Sequence, residues 1–472
     1  MLFTSAEYLL FYVSIAFGSW LVGRWSGIRV WLLLIASYYF YASNNGWLVL
    51  LIAFSTVVDY SAAIWIEEVA DRARKRLLLL LSLGVNLSVL GFFKYFNFFL
   101  ATAADIGQLA GHDMAVRGFE IALPVGISFY TFESLSYVID VYRGELKAER
   151  RLHRYALFIA YFPHLIAGPI IRPGLFIKLL ERPPRLFRTT LEGALSLIAL
   201  GLFKKIVLAD SLAGFVDQGF AGAATADALT AWVALYAFAF QIFFDFSGYT
   251  DVAIGCSMLL GFRLPPNFRR PYAALSITEF WRRWHLSLSF WLRDYLYKAL
   301  GGNRMATPWG VYRNLLVTML LGGLWHGAAW TFVLWGAVHG LLLSVERLLG
   351  QVRLVRHYHG RPVARVLRAL LVFHVIVLTW LPFRAEGMGQ LADMAAALLR
   401  FDAVQTVTVG ALGVLAVAAL GWALQVASDM LPLRRAFLRL PVPVKGLAYG
   451  GVAAAVIVFA SRGAQPFLYF AF

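Results

Sequence analysis

A chain of 472 residues that is 60% hydrophobic, 16% aromatic and only 14% charged is not a string of soluble domains. Those carry about 25% charged residues and cannot hide so much apolar surface from water. The mean hydropathy of +0.70 instead reads as a protein that crosses a membrane many times, and 38 Phe, 21 Tyr and 15 Trp exclude a disordered chain.

The net charge of +16 comes from basic residues in short loops between apolar runs, which is the positive-inside pattern of membrane proteins. Nucleic acid is therefore set aside as a partner, and lipid takes its place. The single cysteine, Cys256, has no internal disulfide partner.

The start of the chain, Met1 to Glu7, lacks a basic leader region, so its first apolar run reads as a retained helix rather than a cleaved signal. A crossing needs about 20 mostly apolar residues. Runs of that character, singly or as close pairs, fall near 8–22, 30–65, 77–100, 118–139, 155–181, 189–209, 228–262, 313–346, 369–383, 407–431 and 446–461. The expected fold is all-α and polytopic, with roughly 10–12 transmembrane helices plus re-entrant and interfacial helices. No segment repeats and no linker divides the chain, so residues 1–472 read as one membrane domain.

Loop charge orients it. Arg72, Arg74, Lys75 and Arg76 mark one cytoplasmic loop, and Arg143, Lys147, Arg150, Arg151 and Arg154 mark the next. Between them, 101–117 holds only Arg117 as a basic residue and reads as external. The same rule places 182–188, 263–304, 347–368 and 434–445 inside, and 210–227, which has no Lys or Arg, outside.

The segment 278–298 differs from its neighbours. Trp281, Trp284, Leu288, Trp291 and Tyr295 fall at helical spacing, with Arg282, Arg283, Arg293, Asp294 and Lys298 as the polar remainder, which predicts one helix lying at the interface. His285 would sit about 40° from Trp281, at the edge of the apolar stripe. It would face the protein body while Arg283 faces away, and Gly301-Gly302 would end the segment.

Ionisable groups inside apolar runs are costly, so each is a functional candidate. The clearest is His326, in LLGGLWHGAAWTFVLWGAVHG, flanked by Gly322, Gly323 and Gly327. A neutral imidazole there can act as a base or a hydrogen-bond donor, or it can simply bridge two helices. His285 is the second candidate, with anchoring of an interfacial helix as its bland alternative. His339 falls near the far end of the same stretch as His326, and His374 reads as a packed helix residue. His357 and His359 read as solvated, and His164 lies where Pro163, Gly168, Pro169 and Pro173 break a helix.

In QIFFDFSGYTDVAIG, Asp245 and Asp251 sit in apolar surroundings with Tyr249 between them. They must be paired or protonated, either to serve a site or to form a structural ion pair. There is no phosphate-binding lysine loop, no GxSxG and no HExxH, and the nine histidines show no metal-ligand spacing, so no metal is expected.

Several segments together resemble the membrane-bound O-acyltransferase (MBOAT) family, and within it the bacterial branch that includes the alginate O-acetyltransferase membrane subunit. They are LPVGISFYTFESLSYVIDVYRGE (123–145), FPHLIAGPIIRP (162–173), GLFKKIVLAD (201–210), FDFSGYTDVAIG (244–255), GFRLPPNFRRPY (261–272), SITEFWRRWHLSLSFWLRDYLYKALGGNR (276–304) and GLWHGAAWTFVLWGAVHG (323–340). They occupy the middle of the chain, about 123–340, and the pairing of FWRRWH with LWHG is the most specific. His164 departs from the glutamine that the branch implies at its position.

The resemblance implies a helical body around a tunnel or funnel, with His326 and His285 as the catalytic pair. Asp245, Tyr249, Trp284, Trp325 and Arg282 are the substrate-binding candidates. It implies acetyl-CoA as donor, a cell-surface or exopolysaccharide acceptor and an external partner with a hydrolase-like Ser-His-Asp site of the SGNH type. It also implies a place in the bacterial inner membrane. Arg263, Arg269, Arg270 and Arg282 could attract coenzyme A phosphates, or could simply mark the cytoplasmic side. Peptidoglycan O-acetylation and D-alanyl transfer to teichoic acid remain alternatives of the same class. A proton-coupled transporter is a remote one, since no inverted repeat is visible.

Overall fold

The computed structural model describes residues 3, 5–112, 118–166, 168–181, 183–184, 187–350, 362–401, 408–431, 436–437, 439–460, 465 and 467–468. His357, His359 and Arg117, named above, lie outside them. Among the described residues all regular structure is helical. Among the described residues, seven stretches are long and apolar enough to cross a membrane: Ser26–Glu68, Arg72–Leu109, Ala228–Leu259, Trp330–Leu349, Val363–Arg384, Val409–Met430 and Val442–Ala460. The first holds two helices, Ser26–Asn45 and Val49–Glu68, separated at Gly46, whose φ of 54° suits a residue without a side chain. The second is interrupted by a wider helical turn at Gly91–Tyr95.

The chain gathers into two compact units. The first comprises 1–197 and 253–265 and the second 198–252 and 266–472. In the first, the buried polar groups are tied down locally. Asp59 accepts from Ser82 Oγ at 2.6 Å and Asn86 Nδ2 at 2.8 Å. Arg29 donates to Ser19 and to the Leu260 carbonyl and lies over the Phe262 ring. The run expected at 155–181 is three short helices, Leu152–Ala160, Phe162–Leu165 and Pro173–Leu179. His164 is buried there, 3.6 Å from the Glu133 carboxylate.

The second unit is built on a hairpin of the helices Pro308–His326 and Trp330–Leu349. A Cβ on Gly323 would fall on the Phe332 carbonyl, and one on Gly336 on the Met319 carbonyl. The two backbones thus approach to a distance that only glycine permits, the small-residue packing typical of membrane helices. Helix Pro362–Arg384 packs against the return arm.

One expectation is corrected here. Residues 278–298 are not one helix: helix Ile277–Trp281 ends in a turn, and His285 has a φ of 42°. Helix Leu286–Trp291 then begins anew and runs into a wider turn at Leu292–Tyr297. The first helix is capped as its sequence dictates. Ser276 Oγ accepts from the Glu279 N–H, and the Glu279 carboxylate accepts from Leu275 N–H, close to the reciprocal pattern of a capping box. Glu346, from the hairpin, accepts from Ile277 N–H at 2.5 Å. Left-handed backbone is disfavoured for a residue with a side chain, so the break at His285 is imposed by its surroundings. Arg283, expected to face away, is instead tied to Glu279 and Asp429, the latter at 3.0 Å.

Candidate active site

His326 is the last residue of its helix. The chain leaves it through extended Gly327 and Ala329 before Trp330 restarts a helix. The side chain is 4% exposed and its ring is walled by three others: Trp325 at 5.0 Å between centroids, Trp335 at 5.1 Å and Phe383 at 5.2 Å, all edge-on. A histidine at a helix C-terminus lies in the partial negative charge of the last carbonyls. Any positive charge that forms on it is supported there by roughly 0.3–1 kcal/mol.

His285 is fully buried. Its ring meets the edge of Phe246 at 4.7 Å and of Trp325 at 6.0 Å. Trp325 is therefore in ring contact with both histidines, and the hairpin end and the 282–285 turn come together around it. The Nδ1 of His285 lies 3.3 Å from Asn267 Oδ1.

The other histidines divide cleanly. His339, on the return arm, accepts at Nδ1 from the Trp281 indole N–H at 3.2 Å. Its Nε2 lies 3.1 Å from Thr379 Oγ1, whose own proton goes to the Ile376 carbonyl. Nε2 must then be the donor, both nitrogens are used, and His339 is locked in one neutral tautomer. It touches the same Trp335 as His326, at 4.7 Å. His374 donates from Nδ1 to the Leu370 carbonyl within its own helix.

The substrate-binding candidates scatter. Trp325 is at the centre. Trp284 packs into the aromatic core against Phe268, Phe280 and Trp380. Arg282 is exposed on the turn that carries His285. Tyr249 stacks on Phe467, which also contacts Phe246. Asp245 is held by Lys205 Nζ at 2.7 Å and accepts from Leu468 N–H at 2.8 Å, and Lys205 also reaches Asp210 at 2.8 Å. Asp251 is paired with Lys204 at 2.6 Å. The carboxylates in this helix are thus ion-paired.

Sequence reasoning missed the lysines as partners, although the signal was there. Two lysines inside the apolar run GLFKKIVLAD need two buried anions, and QIFFDFSGYTDVAIG offers two. It also missed Asn267, Trp335 and Phe383. Among the described residues no three His, Cys, Asp or Glu side chains are gathered so as to hold a metal ion.

The profile described as "MBOAT, membrane-bound O-acyltransferase family" matches residues 149–381. The probable alginate O-acetylase AlgI of Pseudomonas aeruginosa is 43% identical over 408 residues, covering 86% of this chain and 76% of that protein. A peptidoglycan O-acetyltransferase of Helicobacter pylori is 38% identical over 386 residues, covering 76% and 71%. A teichoic acid D-alanyltransferase of Bacillus subtilis is 31% identical over 231 residues, covering 47% and 58%. The chain belongs to the membrane-bound O-acyltransferase family. It is an O-acyltransferase and a multi-pass protein of the bacterial inner membrane.

Proposed function

We propose that this acyltransferase moves acetyl groups from acetyl-CoA at the cytoplasmic face to hydroxyls of an alginate-like surface polysaccharide, by way of an external hydrolase-like partner. His326 and His285 are the pair that carries the chemistry. A hydroxyl attacking a thioester must lose its proton, and the oxygen of the carbonyl takes negative charge as the new C–O bond forms. His326 takes that proton. The tetrahedral intermediate then collapses, the C–S bond breaks, and the thiolate leaves to be protonated as coenzyme A. The proton on His326 is held in the field of the helix end until it is passed on. Phe383, Trp325 and Trp335 keep bulk water from competing for the acyl group. Arg282, exposed beside the histidine turn, attracts the phosphates of the donor.

The observation that carries this reading is the convergence of His326 and His285 on Trp325, in a chain that the Pseudomonas aeruginosa alginate relative matches over 86% of its length. The teichoic acid relative matches under half of it.

The test uses membranes containing the protein, recombined with the periplasmic fraction of the same cells to supply the external partner, together with polymannuronate and radiolabelled acetyl-CoA. Alkali-labile label on the polysaccharide supports the reading. Label on peptidoglycan instead moves the acceptor to the alternative, and no acetyl ester on either glycan overturns the acetyl-transfer reading.

A further inference from the structure

The orientation of His285 is set by one residue that the chemistry above does not use. Asn267 is 1% exposed and lies in the irregular segment that follows helix Ala228–Leu259. That segment runs beside the histidine turn. Arg269 N–H donates to the Arg283 carbonyl at 2.9 Å, and Leu286 N–H donates to the Asn267 carbonyl at 2.9 Å. The Asn267 side chain adds three further contacts through a single atom. Its Oδ1 accepts from Ser287 N–H at 3.1 Å and from Ser287 Oγ at 3.0 Å, and it lies 3.3 Å from His285 Nδ1.

These contacts fix a proton. Which end of an asparagine amide is oxygen is normally settled by its hydrogen-bond network. Here the partner is the backbone N–H of Ser287, which can only donate, so the atom facing it must be the oxygen. An amide oxygen can only accept. His285 Nδ1 therefore carries the hydrogen that points at it, and in the neutral ring the lone pair is on Nε2. The left-handed backbone at His285 is held by the same bonds, which grip the residues just after it. Strained backbone of this kind persists where the surroundings over-determine it, and it clusters at functional sites.

A neutral imidazole with its lone pair on Nε2 cannot donate to an oxyanion through that nitrogen; it accepts. We propose that Asn267 is a positioning residue that holds His285 in the Nδ1–H tautomer, so that His285 enters acyl transfer as a hydrogen-bond acceptor at Nε2. The proton of the attacking hydroxyl goes to His326, and His285 presents a lone pair to the reacting groups rather than a donor to the oxyanion. This inference rests on the reading of His285 as part of the reacting pair.

The test is Asn267→Asp, which keeps the shape and every acceptor contact but adds a negative charge beside Nδ1. That charge favours the imidazolium, which has no lone pair at Nε2. The acid limb of the pH–rate profile for acetyl ester formation should then move to higher pH by about one unit. The plateau rate and the KM for acetyl-CoA should stay close to those of the unaltered protein. Asn267→Leu, which accepts nothing, should lower kcat by about 10²-fold, the low end of what a positioned acid–base group contributes, with KM unchanged.

Among the described residues, His326 lies beyond Trp325, whose ring contacts both histidines, and Asp245, paired with Lys205, precedes Phe246, whose ring meets His285. Arg283 is held by Asp429 and Glu279. All are the same in the Asp variant, so a displaced limb reports the new carboxylate. A residue with a purely structural role would alter yield or melting temperature and leave the limb in place. A profile for Asn267→Asp that superimposes on that of the unaltered protein overturns the proposal.

His285→Gly separates this failure from a failure of the underlying reading, because glycine adopts φ of 42° without strain. If His285→Gly transfers acetyl at the normal rate, the catalytic assignment of His285 is wrong. If it is inactive while the Asn267→Asp profile is unmoved, only the role of Asn267 is.

Discussion

His326 and Lys205 are both buried and ionisable, and substitution separates their roles. Removing the imidazole in His326→Ala takes away general-base assistance, which contributes about 10²–10⁴ in rate. Ester formation from acetyl-CoA should fall by that factor, with the protein still extracted folded and with KM little changed. Lys205→Met removes no group from the histidine pair but leaves Asp245 and Asp210 without their shared cation. Breaking a buried pair in this way costs roughly 3–5 kcal/mol, so the melting temperature and folded yield in detergent should drop. Adding Asp245→Asn to Lys205→Met should restore much of both, together with activity. Restored folding without restored transfer would return Asp245 to the substrate site.

The histidines were legible in the sequence because imidazoles inside apolar runs are conspicuous. Asn267 was not. A neutral amide in a loop motif carries no signal until the structure places it under the 285–287 turn.

Among the helices, the hairpin and the broken interfacial segment matter most. A Cβ at Gly336 would meet the Met319 carbonyl and the backbone of Leu320, and neither can retreat cheaply from a packed helix. Overpacking of this kind costs about 1–3 kcal/mol. Gly336→Val should lower the melting temperature and reduce ester formation, because it forces apart the two arms that carry His326 and Trp335; an unchanged melting temperature would contradict that packing.

Among the described residues, the apolar runs near 30–65, 77–100, 228–262, 313–346, 369–383, 407–431 and 446–461 coincide with helices long enough to cross a membrane, whereas 155–181 is three short helices. Apolar periodicity failed at 278–298. Of the stripe Trp281, Trp284, Leu288, Trp291 and Tyr295, all but Trp291 are buried and Trp291 is half-buried, yet the backbone breaks at His285. Spacing reports which side chains are apolar and is silent on tertiary hydrogen bonds. The Asn267 contacts that override helical continuation come from a segment 18 residues earlier.

For the whole molecule, the distribution of Lys and Arg sets the orientation, and it can be read directly. The native Cys256 is buried and should be silent to a membrane-impermeant maleimide. Cysteines introduced at exposed Lys147 and Gln108 should then label from opposite sides of intact cells. Lys147→Cys should react only after the membrane is opened, and Gln108→Cys before. The reverse pattern would invert the path by which acetyl-CoA reaches the site.

The most direct test of the central claim is the O-acetyl content of isolated surface polysaccharide, measured by NMR. A deletion strain is complemented with the native chain or with His326→Ala at matched membrane levels. Acetyl esters should return only with the native chain. If both restore acetylation, His326 is a structural residue. If the deletion itself leaves every acetyl ester in place, this polysaccharide is not the acceptor.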